Sequence, residues 1–244
     1  MISFKRLVPV LSILALQFAL HTHSYLYAHQ EGPDGKSFSA GERILYNLEK
    51  FGVNVGKASI EFHGTVQKES RSLVYIRFLA DGLNFYDEEK IYLDPETYLP
   101  QIVERDVDIF GKKEKIREEY FHSQDYIQIT KHSKGDVTRQ EFPVKGPVEN
   151  LYGFIYRYRR EGAFEVGAET RMNLPTQDVF LSIVAKEPLK VNDHVYETYF
   201  FKGQPKRVRV WFEDSQNKFP VRIDGTLGLL KAKMTFISVE KFTP

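Results

Sequence analysis

The chain contains no cysteine, which excludes disulfides, thiolate metal sites, cysteine nucleophiles and lipid attachment through a lipobox cysteine. Neither sign of charge is in excess, since 34 Lys and Arg stand against 33 Asp and Glu. Without a broad basic surface, nucleic acid is not an expected partner. Gly and Pro are ordinary in number, which excludes collagen-like and linker sequence. The fixed spacings of common catalytic motifs are missing too: there is no Gly-x-Ser-x-Gly elbow, no Gly-x-x-x-x-Gly-Lys phosphate loop and no His-Glu-x-x-His pair. What is present is a composition able to bury a core, 42% hydrophobic and 27% charged over 244 residues, with 14 Tyr and 19 Phe.

The N-terminus has the three-part layout of a secretory signal peptide. Lys5 and Arg6 precede an apolar run from Leu7 to Leu20, and a polar stretch leads to Ala28, where cleavage is expected. The run is short for a bilayer span and contains Pro9, so an anchor is the weaker reading. Cleavage of residues 1–28 removes Lys5 and Arg6 and leaves a near-neutral chain; in a bacterium its compartment is the periplasm. Residues 29–40 read as a flexible leader, and 41–244 as a single β-rich domain.

From Gly41 onward the apolar pattern has period two. Arg43 to Glu49, Val55 to Phe62, Leu73 to Ala80, Glu88 to Asp94, Leu99 to Phe110, Lys113 to Phe121 and Tyr126 to His132 are short runs rich in Val, Ile, Tyr and Phe. No helical pattern separates them, so they predict an antiparallel meander. Phe51-Gly52-Val53-Asn54-Val55-Gly56 supplies the first hairpin turn. One amphipathic helix is expected near 148–160, from Val148, Leu151, Tyr152, Ile155 and Tyr158 or Arg159 on one stripe, with Arg159 and Arg160 at its end. Strands then resume from Thr170 to Val239.

Several segment pairs read either as two degenerate half-repeats or as coincidence among similar β-rich runs. Leu93 to Pro100 aligns with Glu213 to Pro220, Val74-Tyr75 and Gly82 with Val195-Tyr196 and Gly203, and Asn47-Leu48 with Asn173-Leu174. The fold class that follows is mainly β: a single curved antiparallel sheet forming an open barrel or clam, with the helix connecting the halves and covering the concave face.

Gly41 to Tyr46 with Gly56-Lys57-Ala58, the Asp94 to Pro100 turn, the helix Asn150 to Tyr156, and Val210-Trp211-Phe212 with Phe219 to Ile223 resemble the exported bacterial family called Domain of Unknown Function 3108. The resemblance implies a periplasmic sheet similar in outline to the carriers that ferry lipoproteins to the outer membrane. It implies no established activity and no agreed site residues.

Each candidate site also has a plainer role. His122 and His132 are able to approach across a hairpin, but they sit on polar strands and read as surface residues rather than metal ligands. Glu104, Asp106 and Asp108 share one strand face, which suits Ca²⁺ or acid-base work but also describes a half-exposed strand, the preferred reading. The basic stretch Tyr156 to Arg160 is expected to face water.

The aromatic load has two readings: the sheet curls around its own core, the preferred one, or its concave face is a hydrophobic cleft for a lipid or acyl chain. Leu151, Tyr152, Ile155, Phe78, Tyr92 and Trp211 are the expected lining of an apolar site. The functional expectation is a non-enzymatic envelope protein with no cofactor and no metal, holding a lipid or acyl chain in its curved sheet, with the helix as a plug. Its expected partners are a lipid or lipidated ligand, an envelope protein and the membrane surface. The alternative is a structural adaptor with a filled core, acting through protein or peptidoglycan contacts.

Overall fold

Alternating apolar residues make half-buried strands, and residues that tolerate a positive φ reverse them. The computed structural model describes residues 38–244 except 176, 205–207 and 228–229; the signal-peptide expectation and most of the leader lie outside these residues. The N-terminal half contributes β1 (Glu42–Lys50), β2 (Val53–Lys68), β3 (Arg71–Gly82), β4 (Phe85–Leu93), β5 (Pro100–Ile109), β6 (Lys112–Phe121), β7 (Tyr126–Ser133) and β8 (Asp136–Pro143). The helix α1 (Leu151–Glu161) follows. The C-terminal half contributes β9 (Glu169–Leu174), β10 (Gln177–Val191), β11 (His194–Gln204), β12 (Arg209–Glu213), β13 (Pro220–Leu227) and β14 (Leu230–Lys241).

All fourteen strands belong to one antiparallel sheet. Its order runs from β8 at one edge down to β1, then from β14 down to β9 at the other edge. The seam between the halves is the β1–β14 pair, where Ile44 faces Val239 and Leu48 faces Met234. The sheet is not closed: β8 and β9 have one neighbour each. Phe51 (φ 54°) and Gly52 (φ 78°) make the first hairpin turn where the sequence expects it.

The sheet curls around α1. Tyr152 stacks on Phe78 of β3 at 4.3 Å, and Tyr156 lies against Phe62 of β2 at 5.0 Å. Tyr158 meets Phe201 of β11 edge-on at 5.1 Å and Phe212 of β12 at 6.4 Å. Strands of both halves therefore bury their inner aromatics on one helix, and each such side chain contributes roughly 1.5 to 3 kcal/mol. Gly153 permits a close approach, because a Cβ there would stand only 3.2 Å from the fully buried Leu93.

The helix starts later than the sequence pattern suggests. Asn150 is its N-cap, with extended backbone and a side-chain oxygen that accepts from the N–H groups of Tyr152 and Gly153. Glu149 stays outside because the edge strand claims it. The Glu149 N–H donates to the Asn173 carbonyl of β9 at 2.7 Å, and the Asn173 N–H donates back to the Glu149 carboxylate at 3.2 Å. A second correction concerns the leader: Phe38 is buried against Phe62 and Tyr156, at 4.8 and 4.9 Å, so the core begins before Gly41. A third is β8, which has its own hairpin with β7 around Lys134 and Gly135, both at positive φ.

The aligned half-repeat segments fall on equivalent elements. Asn47-Leu48 and Asn173-Leu174 lie on β1 and β9, and Gly82 and Gly203 lie on β3 and β11. The two Pro-ending turns both join the fourth strand of a half to its fifth. Each holds a positive-φ residue two places before its Pro, Tyr98 (φ 57°) and Lys218 (φ 50°).

Candidate functional site

Of the six side chains expected to line a site, the fold brings four together. Phe78, Tyr152 and Ile155 are buried between sheet and helix, and Leu151 packs half-buried at the start of the same stripe. Tyr92 and Trp211 are on the outer face. Trp211 sits between Val210 and Phe212, which belong to the inner core, so the two-residue period turns the indole outward. There it stacks on Phe200 at 4.5 Å beneath the Arg222 guanidinium. Tyr92 likewise stacks on Tyr75 at 5.0 Å under the Lys68 ammonium, in a small outer cluster with Leu73 and Ile102.

The helix end expected to face water is partly buried instead. Arg159 has no exposed side-chain surface and pairs with Glu42 of β1. Helical spacing from Tyr152 and Ile155 puts Arg159 on the apolar stripe, and that position was the signal for its burial.

On the outer face, Glu104, Asp106 and Asp108 form cross-strand ion pairs with Arg117 (2.7 Å), Lys115 (3.7 Å) and Lys113 (3.8 Å), as the half-exposed reading expects. His122 and His132 do not meet. His122 occupies the short turn before β7 and contacts the Pro100 carbonyl at 2.7 Å, whereas His132 is opposite Lys115 far along the strand. His63 is bonded to Glu61 at 3.1 Å and stacked on Tyr75, and burial lowers its pKa. Among the described residues, no three His, Asp or Glu side chains converge as metal ligands.

The inner face changes character across β3 to β8. One cross-strand row reads Phe78, Glu89, Arg105, Ile116, Lys131 and Thr138, so the surface passes from apolar to charged to mixed as it leaves the helix. In the charged zone Arg105 donates to Asp87 at 2.7 Å and stands 3.4 Å from Glu89, and the Asn150 amide reaches Glu89 at 3.4 Å. Burial pushes the Glu89 carboxyl up to about 7, against the pull of Arg105 and with a further push from Asp87 and Glu118. Burial raises Glu118 as well, while the Tyr120 hydroxyl donates to it at 2.5 Å.

Beyond this zone the helix no longer covers the sheet. An open cleft of about 740 Å³ lies over β6, β7 and β8. Ile129, Thr138, Gln140 and Phe142 line its floor and wall; Lys112, Lys113, Lys131 and Lys134 surround it, against Glu114 and Asp136. Lys131 is paired with Glu114 at 2.7 Å. The sequence did not mark this cleft, because β6 to β8 read as polar, half-solvated strands. Chemically it offers apolar contact beside cations, which suits a molecule with a short apolar body and an anionic head.

A single open antiparallel sheet wound around one helix, with a half-polar cleft past the helix start, defines the class. The chain belongs to the family described as Protein of unknown function (DUF3108), whose model matches residues 43–236. Among solved structures it is similar to a beta-barrel-like protein of Domain of Unknown Function DUF1849 from Brucella abortus, at 8% identity and a TM-score of 0.48. That similarity covers 82% of this chain and 97% of the other. No curated protein matches.

Proposed function

We propose that this protein is a non-catalytic periplasmic envelope protein that binds an anionic amphiphile in the cleft over β6 to β8. The carrying observation is that cleft itself, with Phe142 and Ile129 beside Lys112, Lys131 and Lys134. The helix-covered part of the inner face is occupied by the protein's own aromatics, so a ligand's place is past the helix rather than beneath it. Lys5, Arg6 and the Leu7 to Leu20 run support export.

The test has two arms. Protein released by osmotic shock is sequenced from its N-terminus and weighed intact by native mass spectrometry; a start near His29 and a co-purifying amphiphile are expected. Membrane-bound protein that keeps Met1 would overturn the location. In the second arm lysophosphatidylglycerol, at about a hundredfold excess over its Kd, should stabilise the fold by about 2.7 kcal/mol through mass action. Phe142→Asp should abolish that gain. No stabilisation by lysophosphatidylglycerol, or the same gain in Phe142→Asp, would overturn the cleft.

The adaptor reading has one observation in its favour. Every residue of β8 is exposed, and the strand has a single neighbour, so its outer backbone groups are open to strand addition by a partner. A photo-crosslinker at Glu141 that captures one envelope protein, in cells where no lipid co-purifies, would favour it.

A further inference from the structure

Consecutive hairpins of a meander alternate between the two ends of a sheet, so the β1–β2, β3–β4, β5–β6 and β7–β8 turns share one rim. Three of these four tips carry a large apolar residue in water. Phe51 is 96% exposed, Leu83 82% and Phe110 76%, with Val53 also exposed beside the first. The tips are joined through their backbones: Leu83 N–H donates to the Val55 carbonyl at 3.2 Å and Phe110 N–H to the Asn84 carbonyl at 2.9 Å. At two strand spacings per hairpin they stand about 10 Å apart. Phe51 and Phe110 also hold φ of 54° and 52°, a conformation bulky side chains rarely adopt. None of the three contributes to the core, so folding gives no reason for them.

We propose that this rim is a docking surface for an anionic lipid bilayer, with Phe51, Leu83 and Phe110 inserted at the headgroup boundary. Charge selects the occupant. Lys50, Lys112, Lys113 and Lys134 stand in or beside the tips, against Asp108 and Asp136, while Asp81 faces Lys57 across its strand pair. Separate apolar tips flanked by lysines suit a fluid interface, which closes around each one; a protein partner would need one continuous patch. The cleft over β6 to β8 is bordered by Gly111 to Lys113 and by Lys134 and Asp136, so it opens toward the same rim. Docking does not rest on the amphiphile reading, and each fails separately.

The test is vesicle flotation of the chain from His29 onward, which keeps all of the described core. Phosphatidylcholine vesicles with and without phosphatidylglycerol serve as probes. The protein should float with the anionic vesicles, and Phe51→Ser/Leu83→Ser/Phe110→Ser should weaken that binding by about tenfold or more with no loss of melting temperature. Lys112→Gln/Lys134→Gln should weaken binding to anionic vesicles and flatten its salt dependence. A matched control, Val166→Ser/Val195→Ser, removes exposed apolar groups toward the other end of the sheet and should change nothing. The proposal is overturned if the parent protein stays unbound, if the triple variant binds as well as the parent, or if the control loses binding equally.

Discussion

Arg159 of α1 and Glu42 of β1, 117 positions apart, meet in a two-bond ion pair at 2.6 and 3.1 Å with both side chains out of water. The same guanidinium donates to the Asn217 carbonyl at 2.9 and 3.0 Å, and the Tyr156 hydroxyl donates to Glu42 at 3.1 Å. Helix, seam strand and the turn before β13 are thereby tied at one point. Taking two charges out of water is costly, so the pair specifies where the helix end sits more than it adds net stability.

Breaking that pair should therefore cost more than replacing it. Arg159→Met or Glu42→Leu alone leaves a buried charge and should destabilise by about 3 to 5 kcal/mol in urea unfolding. The double variant should lose clearly less than the two single losses added together. Strict additivity would show that the two groups are not coupled.

The helix is a core element, and side-chain truncations along it should report this in order of burial. Ile155 is 1% exposed, and Ile155→Ala should cost about 2 to 5 kcal/mol. Leu151 only packs against the core from the half-buried end of the stripe, so Leu151→Ala should cost less. A small loss in Ile155→Ala would mean that the helix lifts off as a plug.

Most of the sheet was legible because its strands are half-buried and the period of two survives in runs such as Ile44, Tyr46 and Leu48. β8 was not separable from β7, since all its residues are exposed and no alternation marks it; Lys134-Gly135 was its one local signal. The faces of Tyr92 and Trp211 were illegible for another reason. Strands such as Val210 to Phe212 are apolar on both sides, and only the helix contact decides which side is inner. Glu42 carries no local mark of its pairing, because its partner comes from across the whole N-terminal half.

Glu89 should give the stability a pH dependence of unusual sign. Its carboxyl is pushed up to about 7 by burial, among Asp87, Arg105, Glu118, Asn150 and Tyr152. A raised carboxylate binds its proton more tightly folded than unfolded. Its contribution is therefore present at acid pH and lost as pH climbs from the ordinary Glu range, about 4.3, toward the raised value. Glu89→Gln should accordingly raise the melting temperature at pH 8, leave it nearly unchanged at pH 5, and flatten the profile between. A variant less stable at pH 8 would mean that the ion pair with Arg105 outweighs burial.

The turns at Phe51 and Phe110 should show that the rim is not optimised for stability. Phe51-Gly52 and Phe110-Gly111 place both residues of each pair at positive φ, the geometry that Asn-Gly adopts most readily. An L-residue without a short polar side chain loses roughly 1 to 2 kcal/mol in this region, and Asn loses less. Phe51 has little to give up in exchange; the Lys50 ammonium, 5.9 Å from the ring centroid, is a weak exposed contact. Phe51→Asn and Phe110→Asn should each stabilise the fold by roughly 0.5 to 1 kcal/mol in urea, and the gains should add, because each tip sits in its own hairpin. Destabilisation by either change would show that the ring makes a folding contact, and would remove the argument that these aromatics are present for something other than the fold.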